Sequence, residues 1–273
     1  MDDARLLVRC APVSGALITA DFQTRGRGRT AQRRWVSAPG RNLLFNLLLH
    51  AAAVGDVPQR LPLLCGLAVA DAVEASSGVH CQVKWPNDVM MHGCKVAGCL
   101  CERLGDWYSV GVGVTCNQRA GLPPGPAADL PASSVWLASG RRVRRWPLLE
   151  AILAELHGLL AVPDWAALVD RRLFARGRWV QLSGAGRGMP RHARVIRVAA
   201  AGGLVVHDAC GTEYTCFSGS MRPVVPGACR TGASAADPTG LRTPAARGGT
   251  RRCTESGGAP GRQGAASEHI GYR

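Results

Sequence analysis

Arg25, Arg27, Arg29, Arg33 and Arg34 put five arginines within ten residues, on a backbone loosened by Gly26 and Gly28, with Gln23 and Thr24 in front and Trp35 behind. Glycine lets backbone N–H groups approach an oxyanion, and each guanidinium fork can meet a phosphate or carboxylate with two hydrogen bonds, so such a loop can wrap an anion. The same composition describes a solvated basic loop or an arginine-glycine segment that binds RNA. The residues alone leave these readings open. A second segment, Lys84-Trp85-Pro86-Asn87-Asp88, is followed by Lys95-Val96-Ala97-Gly98-Cys99-Leu100-Cys101-Glu102. A lysine near a strand end can meet developing negative charge, and Gly98 lets a ligand approach the backbone closely. Asn87 and Asp88 offer an amide and a carboxylate to polar ligand atoms or to Mg2+, or else make a turn, for which Pro-Asn-Asp is suitable chemistry. A third segment, Gly111-Val112-Gly113-Val114-Thr115-Cys116-Asn117, is a glycine-spaced strand end.

The formal net charge of +14 raises the question of a polyanionic partner. Only two of the 33 basic residues are lysines, Lys84 and Lys95, so a general drift toward arginine accounts for most of the excess. Both exceptions fall in one short segment, where a compact ammonium serves and a planar fork does not. The 11 cysteines are odd in number and scattered through apolar runs, which fits reduced, mostly buried thiols rather than a disulfide framework. Cys94, Cys99 and Cys101 lack the paired Cys-x-x-Cys spacing of zinc sites, and the protein alone is expected to hold no metal.

Strands and helices interleave through the first part of the chain, which predicts a mixed α/β domain over residues 1–172. Gly15 to Ala20 reads as a short buried strand, Leu43 to Leu49 as a second, and Leu63 to Ala75 as a helix opened by Pro62 and stopped by Gly78. Cys81 to Trp85 is a strand cut off by Pro86. Val96 to Glu102 and Trp107 to Val114 form a hairpin, and Trp146 to Val162 is an amphipathic helix. Residues 173–226 read as short strands with glycine turns, which suits a small β-barrel. Residues 227–273 are Gly, Ala, Arg, Thr and Pro with few large apolar side chains, and are expected to be disordered. No apolar stretch is long enough for a bilayer span, and Met1-Asp2-Asp3-Ala4-Arg5 does not open like an export signal. A cytoplasmic protein without membrane contact is expected.

The ordered set Gln-Thr-x-Gly-Arg-Gly-Arg, Trp with Ser and Pro-Gly, Lys-Trp-Pro-Asn-Asp, Lys-x-Ala-Gly and Gly-x-Gly resembles the catalytic domain of biotin protein ligases, over about residues 2–160. The stretch Trp179 to Pro223 resembles the small SH3-like C-terminal domain of that family. The resemblance implies a class II synthetase-like α/β fold. It also implies an enzyme that activates biotin with ATP and Mg2+ as biotinyl-5'-AMP and passes biotin to a lysine of a biotin carboxyl carrier protein, with no tightly bound cofactor. Carried over, Gln23, Gly26, Arg27, Lys95 and Gly98 match biotin-binding positions. Arg29, Arg33, Trp35, Lys84, Asn87, Asp88, Thr115 and Asn117 match nucleotide-side positions, with Mg2+ arriving with ATP near Asp88. Lys95, Arg27 and Arg29 are the expected catalytic residues.

Three departures stand out. The loop runs Arg29-Thr30-Ala31-Gln32-Arg33-Arg34-Trp35, one residue longer than the family pattern and without its third glycine. Thr115 stands where the family commonly has Asn. Family members also carry a biotin-binding Ser-Thr pair just before the residues matching Met1 to Ala4, so the start codon is expected to have been placed too late. These residues contain no counterpart of the winged-helix domain of repressor-type members, and operator DNA binding is not expected. A homodimer through the central sheet stays open. So do three other readings: a lipoate or octanoate ligase of the same superfamily, an arginine-rich nucleic-acid-binding protein, and an inactive ligase relic.

Overall fold

The computed structural model describes residues 1–30, 34–55, 59–120 and 130–224. The expected tail, 227–273, lies outside the described residues. The elements are, in order, α1 (Asp2–Cys10), β1 (Leu17–Ala20), β2 (Leu43–His50), α2 (Ala51–Val54), α3 (Arg60–Ser77), β3 (Cys81–Lys84), β4 (Asp88–Met91), β5 (Cys94–Leu104) and β6 (Trp107–Val114). There follow α4 (Val135–Ser139), α5 (Arg145–Leu160), α6 (Trp165–Arg171), β7 (Trp179–Ser183), β8 (His192–Val198), β9 (Leu204–His207), β10 (Glu213–Cys216) and β11 (Ser220–Pro223). The fold is mixed α/β. A six-stranded sheet runs in the order β1-β2-β6-β5-β4-β3, and a five-stranded sheet in the order β10-β9-β8-β7-β11.

All these ladders are antiparallel, and the pleat sends alternate residues of each strand to opposite sides. β6 uses this simply. Val110, Val112 and Val114 alternate with Gly111 and Gly113, and the valines are buried in the core. On the same side, Cys99 and Cys101 of β5 meet Cys65 of α3. Burial, with the neighbouring thiol, pushes Cys99 well above the usual thiol range. α3 is buried along most of its length, including Leu61, Leu64, Leu67, Ala68 and Val69, because it is covered by the sheet on one side and α5 on the other. It stops at Gly78, whose φ of 73° is the left-handed conformation that glycine adopts without penalty.

Two local readings change, and one element is added. The first strand is largely exposed rather than buried, since β1 is the edge of its sheet and pairs only with β2. Asp88 opens a strand, β4, directly after a turn at Trp85 to Asn87 in which Asn87 N donates to Lys84 O at 3.1 Å, and the chain folds straight back on β3. Residues 2–10 form a helix, with Asp2 and Asp3 in its first turn and Arg9 in its last, charges that suit the helix dipole. The nine described cysteines are free, with Cys10 and Cys210 exposed. Among the described residues no helix is long and apolar enough to cross a membrane.

Candidate active site

The register of the six-stranded sheet builds the floor of a cavity. One cross-strand row runs Ala20, Leu44, Gly113, Gly98, Asp88 and Lys84, and the next runs Ile18, Asn46, Gly111 and Leu100. Three of these ten positions are glycine, so the middle of the floor has no side chains. The result is a cavity of about 300 Å3 lined by these two rows from Ala20 to Gly98 and from Ile18 to Leu100, by Gln23 to Arg27, by Trp35 and by Met1 to Asp3. A Cβ on Gly113 would stand 2.6 Å from two ring atoms of Trp35, so the indole lies directly on the bare backbone. A Cβ on Gly111 would meet Met1 Sδ at 3.2 Å.

The glycine-arginine loop is pinned at its base. Arg27 bridges Arg34, and Trp35 N donates to Gly26 O at 3.2 Å. Gly26 has no room for a side chain, since a Cβ would fall 2.3 Å from Trp35 O and 2.9 Å from Gln23 Oε1. The arginines diverge from this base. Arg27 donates to Asp2 Oδ1 at 2.9 Å, while Arg29 donates to Gly219 O at 2.9 Å, in the turn before β11. Arg33 lies outside the described residues.

Beside Gly98 stands a chain of charges. Lys95 Nζ lies 2.5 Å from Asp88 Oδ1, and Lys84 Nζ lies 3.6 Å from Asp88 Oδ2. Lys84 is buried and Asp88 nearly so, whereas Lys95 keeps about a third of its side chain exposed. A bulge shifts the β4–β5 register between Val89 and Met90, beside the pairing of Met90 with Lys95 near the start of β5, and bulges re-aim side chains in this way. A Cβ on Gly98 would lie 3.1 Å from Lys95 Nζ, so the ammonium stands at the cavity rim. Its backbone is held on the other side by Pro131 O and Ser133 N, at 2.8 and 2.9 Å.

The structure therefore gathers Gln23, Gly26, Arg27, Trp35 and Gly98 around one cavity and puts Lys95 and Asp88 at its edge. Asn87, Thr115 and Asn117 make bonds within the scaffold. Asn87 donates to Cys99 O at 2.6 Å and ties the β3–β4 connection to β5. Asn117 gives Nδ2 to Val143 O and takes Val143 N on Oδ1, at 2.8 and 2.9 Å, which uses both ends of its amide. Thr115 is buried, and its backbone joins Val96 to Val135. Neither Thr115 nor Asn117 lines the cavity. Trp85 is buried and donates from Nε1 to Gly202 O at 3.1 Å, linking the six-stranded sheet to the β8–β9 turn.

The chain has relatives among known proteins. Residues 10–121 match the model of the biotin/lipoate A/B protein ligase family. The biotin--[acetyl-CoA-carboxylase] ligase of Paracoccus denitrificans is 33% identical over 175 residues, covering 60% of this chain and 69% of that protein. The chain is a member of the biotin protein ligase family. The bifunctional ligase/repressor BirA of Bacillus spizizenii is 34% identical over 144 residues, 51% of this chain, but the match spans only 44% of that relative's length. The biotin protein ligase of Aquifex aeolicus, solved in complex with biotin and ATP, superposes with a TM-score of 0.71 at 26% identity, covering 81% of this chain and 94% of that one. For a biotin protein ligase family member, two cavity residues were not singled out by motif. Asp2 is paired with Arg27, which sequence distance conceals. Asn46 is the one polar residue inside the apolar run Leu43 to Leu49, and that mismatch is a signal visible in the sequence.

Proposed function

We propose that this chain is an ATP-dependent biotin protein ligase that forms biotinyl-5'-AMP and transfers biotin to a lysine of a biotin carboxyl carrier protein. The observation that carries this reading is the glycine-floored cavity ending against the Lys95–Asp88–Lys84 chain. The glycines of the floor let a compact bicyclic ring pack close to the sheet beside the Trp35 indole, and a carboxylate at the rim meets the Lys95 ammonium. The carboxylate oxygen attacks the α-phosphorus of ATP, and pyrophosphate leaves. The carrier ε-amine then attacks the acyl carbonyl of the mixed anhydride, and AMP leaves. No protein nucleophile enters this scheme; positioning and neutralisation of charge do the work.

Asp88 acts here as the counter-ion that fixes Lys95. With two ammonium groups already on its carboxylate it does not suit a divalent ion, and Mg2+ belongs with the ATP phosphates as a co-substrate. Arg27 and Arg29 supply the remaining positive charge from the loop that shuts over the ligand. In the same reading residues 1–172 are the catalytic domain, 173–226 the SH3-like domain and 227–273 a tail, and the protein works in the cytoplasm without binding operator DNA. Purified protein incubated with biotin, ATP, Mg2+ and a carrier domain should give a carrier band on a streptavidin blot. Lipoylation of a carrier domain with no biotin band would instead place the chain with the lipoate enzymes of the superfamily.

A further inference from the structure

Asn46 sits in the second row of the cavity floor, beside Gly111 and Ile18, and is buried at 4% exposure. Its Nδ2 donates to Ser109 Oγ at 2.9 Å, a contact within the wall of the site. The opposite end of the amide, Oδ1, is buried without a hydrogen-bond partner although Asn46 lines the cavity. A buried acceptor left unpaired costs more than a hydrogen bond returns, so such a group marks a place where a ligand completes the bonding. The same cavity holds an orphan donor, Trp35 Nε1. One wall thus asks for a group that gives a hydrogen bond, and another for a group that takes one.

Resting on the ligase reading, we propose that Asn46 is a specificity-determining residue whose amide oxygen accepts a hydrogen bond from a ureido N–H of the substrate. A ureido ring carries both N–H donors and a carbonyl acceptor, whereas a dithiolane or a plain acyl chain carries no donor and would seal the Asn46 oxygen against hydrocarbon or sulfur. Asn46 therefore selects a cyclic urea over the other acyl groups handled by the family. Neighbouring Gly111 puts no side chain beside the amide, where the Met1 side chain now packs, and Ser109 holds the orientation of the amide, so the preference is built into the sheet rather than into a loop.

The test is a binding cycle by calorimetry on the full chain. The ligands are biotin and the two cyclic-carbamate analogues in which one or the other ureido N–H is replaced by oxygen, a change that removes a donor without adding bulk. The parent should bind biotin and lose roughly tenfold to a hundredfold in affinity for one of the two analogues. That loss should vanish in Asn46→Ala, which should itself bind biotin about as weakly as the parent binds the analogue. Asn46→Ser keeps a polar partner for Ser109, carries a shorter side chain, and should behave like Asn46→Ala if the alanine variant does not fold. A parent that binds biotin and both carbamates alike, or a loss that persists in the folded variants, overturns the proposal and leaves the ligase reading standing. A parent that binds lipoate and not biotin overturns both.

Discussion

The indole of Trp35 rests on Gly113 with no side chain between them, and Gly113→Ala should force them apart. The added Cβ would stand 2.6 Å from ring atoms Cε2 and Cζ2 and 3.1 Å from Cη2. Carbon atoms settle at roughly 3.5–4.0 Å, so the ring must retreat by about 1 Å. The Trp35 backbone is tied to Gly26, since Trp35 N is bonded to Gly26 O and the Trp35 carbonyl and Cβ occupy the space beside the Gly26 Cα. The shift therefore passes to Gln23 and Gly26, both on the cavity wall. Overpacking of this kind costs about 1–3 kcal/mol, which lowers Tm by about 2–4 °C for each kcal/mol in a chain of this size. A misplacement of about 1 Å in a positioning element can cost about 100-fold. We expect kcat/KM for biotin, measured by pyrophosphate release, to fall by about that factor while the protein remains folded. Gly158→Ala is the control, since Gly158 lies exposed near the end of α5 with nothing within 4 Å of a new Cβ. Unchanged kcat/KM and Tm for Gly113→Ala would refute the stacking of Trp35 on the floor.

Lys95→Ala should fold normally, because its side chain is partly exposed and Lys84 still faces Asp88, yet form biotinyl-AMP about 10²–10³ times more slowly. Lys95→Arg should also be impaired, since a bulkier fork must fit beside Gly98; adenylate formation at the parental rate in Lys95→Ala would remove its catalytic role. Trp85→Phe deletes the Nε1 bond to the Gly202 carbonyl and should cost about 1–3 kcal/mol in urea unfolding, and an unchanged midpoint would mean that the contact contributes nothing. Burial is the largest influence on Glu74 and pushes its carboxyl up. The Arg172 guanidinium, the Cys81 N–H and His80 together outweigh it and hold the group below the usual range. Its contribution to stability is therefore present above the unfolded pKa and lost as pH falls through the lower folded value. Glu74→Gln should be less stable than the parent at neutral pH, with the gap narrowing in acid melts below about pH 4.5. A gap independent of pH would contradict the assignment.

The loop motif, the two lysines and the β5–β6 hairpin were legible because each has a local cause: glycine and arginine spacing, a residue type used only twice, and strict valine-glycine alternation in β6. What stayed hidden depends on pairing. Pro-Asn-Asp is good turn chemistry, so nothing local announces that Asp88 begins a strand whose register puts it across from Gly98. Asn117 has the residue type of a ligand contact, and only the fold reveals that Val143 occupies both ends of its amide. The helix at 2–10 had its signals, acidic residues first, an arginine last and Ala4, Leu7 and Val8 at helical spacing, but it is only nine residues long and buries only Ala4, so the stripe is too short to stand out. Asn46 was visible as a polar interruption of an apolar strand, yet its meaning required the row of residues beside it.

The bond from Arg29 to the carbonyl of Gly219 joins positions 190 residues apart. A ribosome delivers the chain from its N-terminus, so the glycine-arginine loop emerges long before the turn that anchors it. Most of the cavity can assemble once β6 is made, but the far end of the loop acquires its tether only when β11 arrives. A truncated translation product that stops short of that strand carries every ligand-facing motif and still lacks one fastening of the loop. The arrival of β11 is in this sense recorded at the glycine-arginine loop.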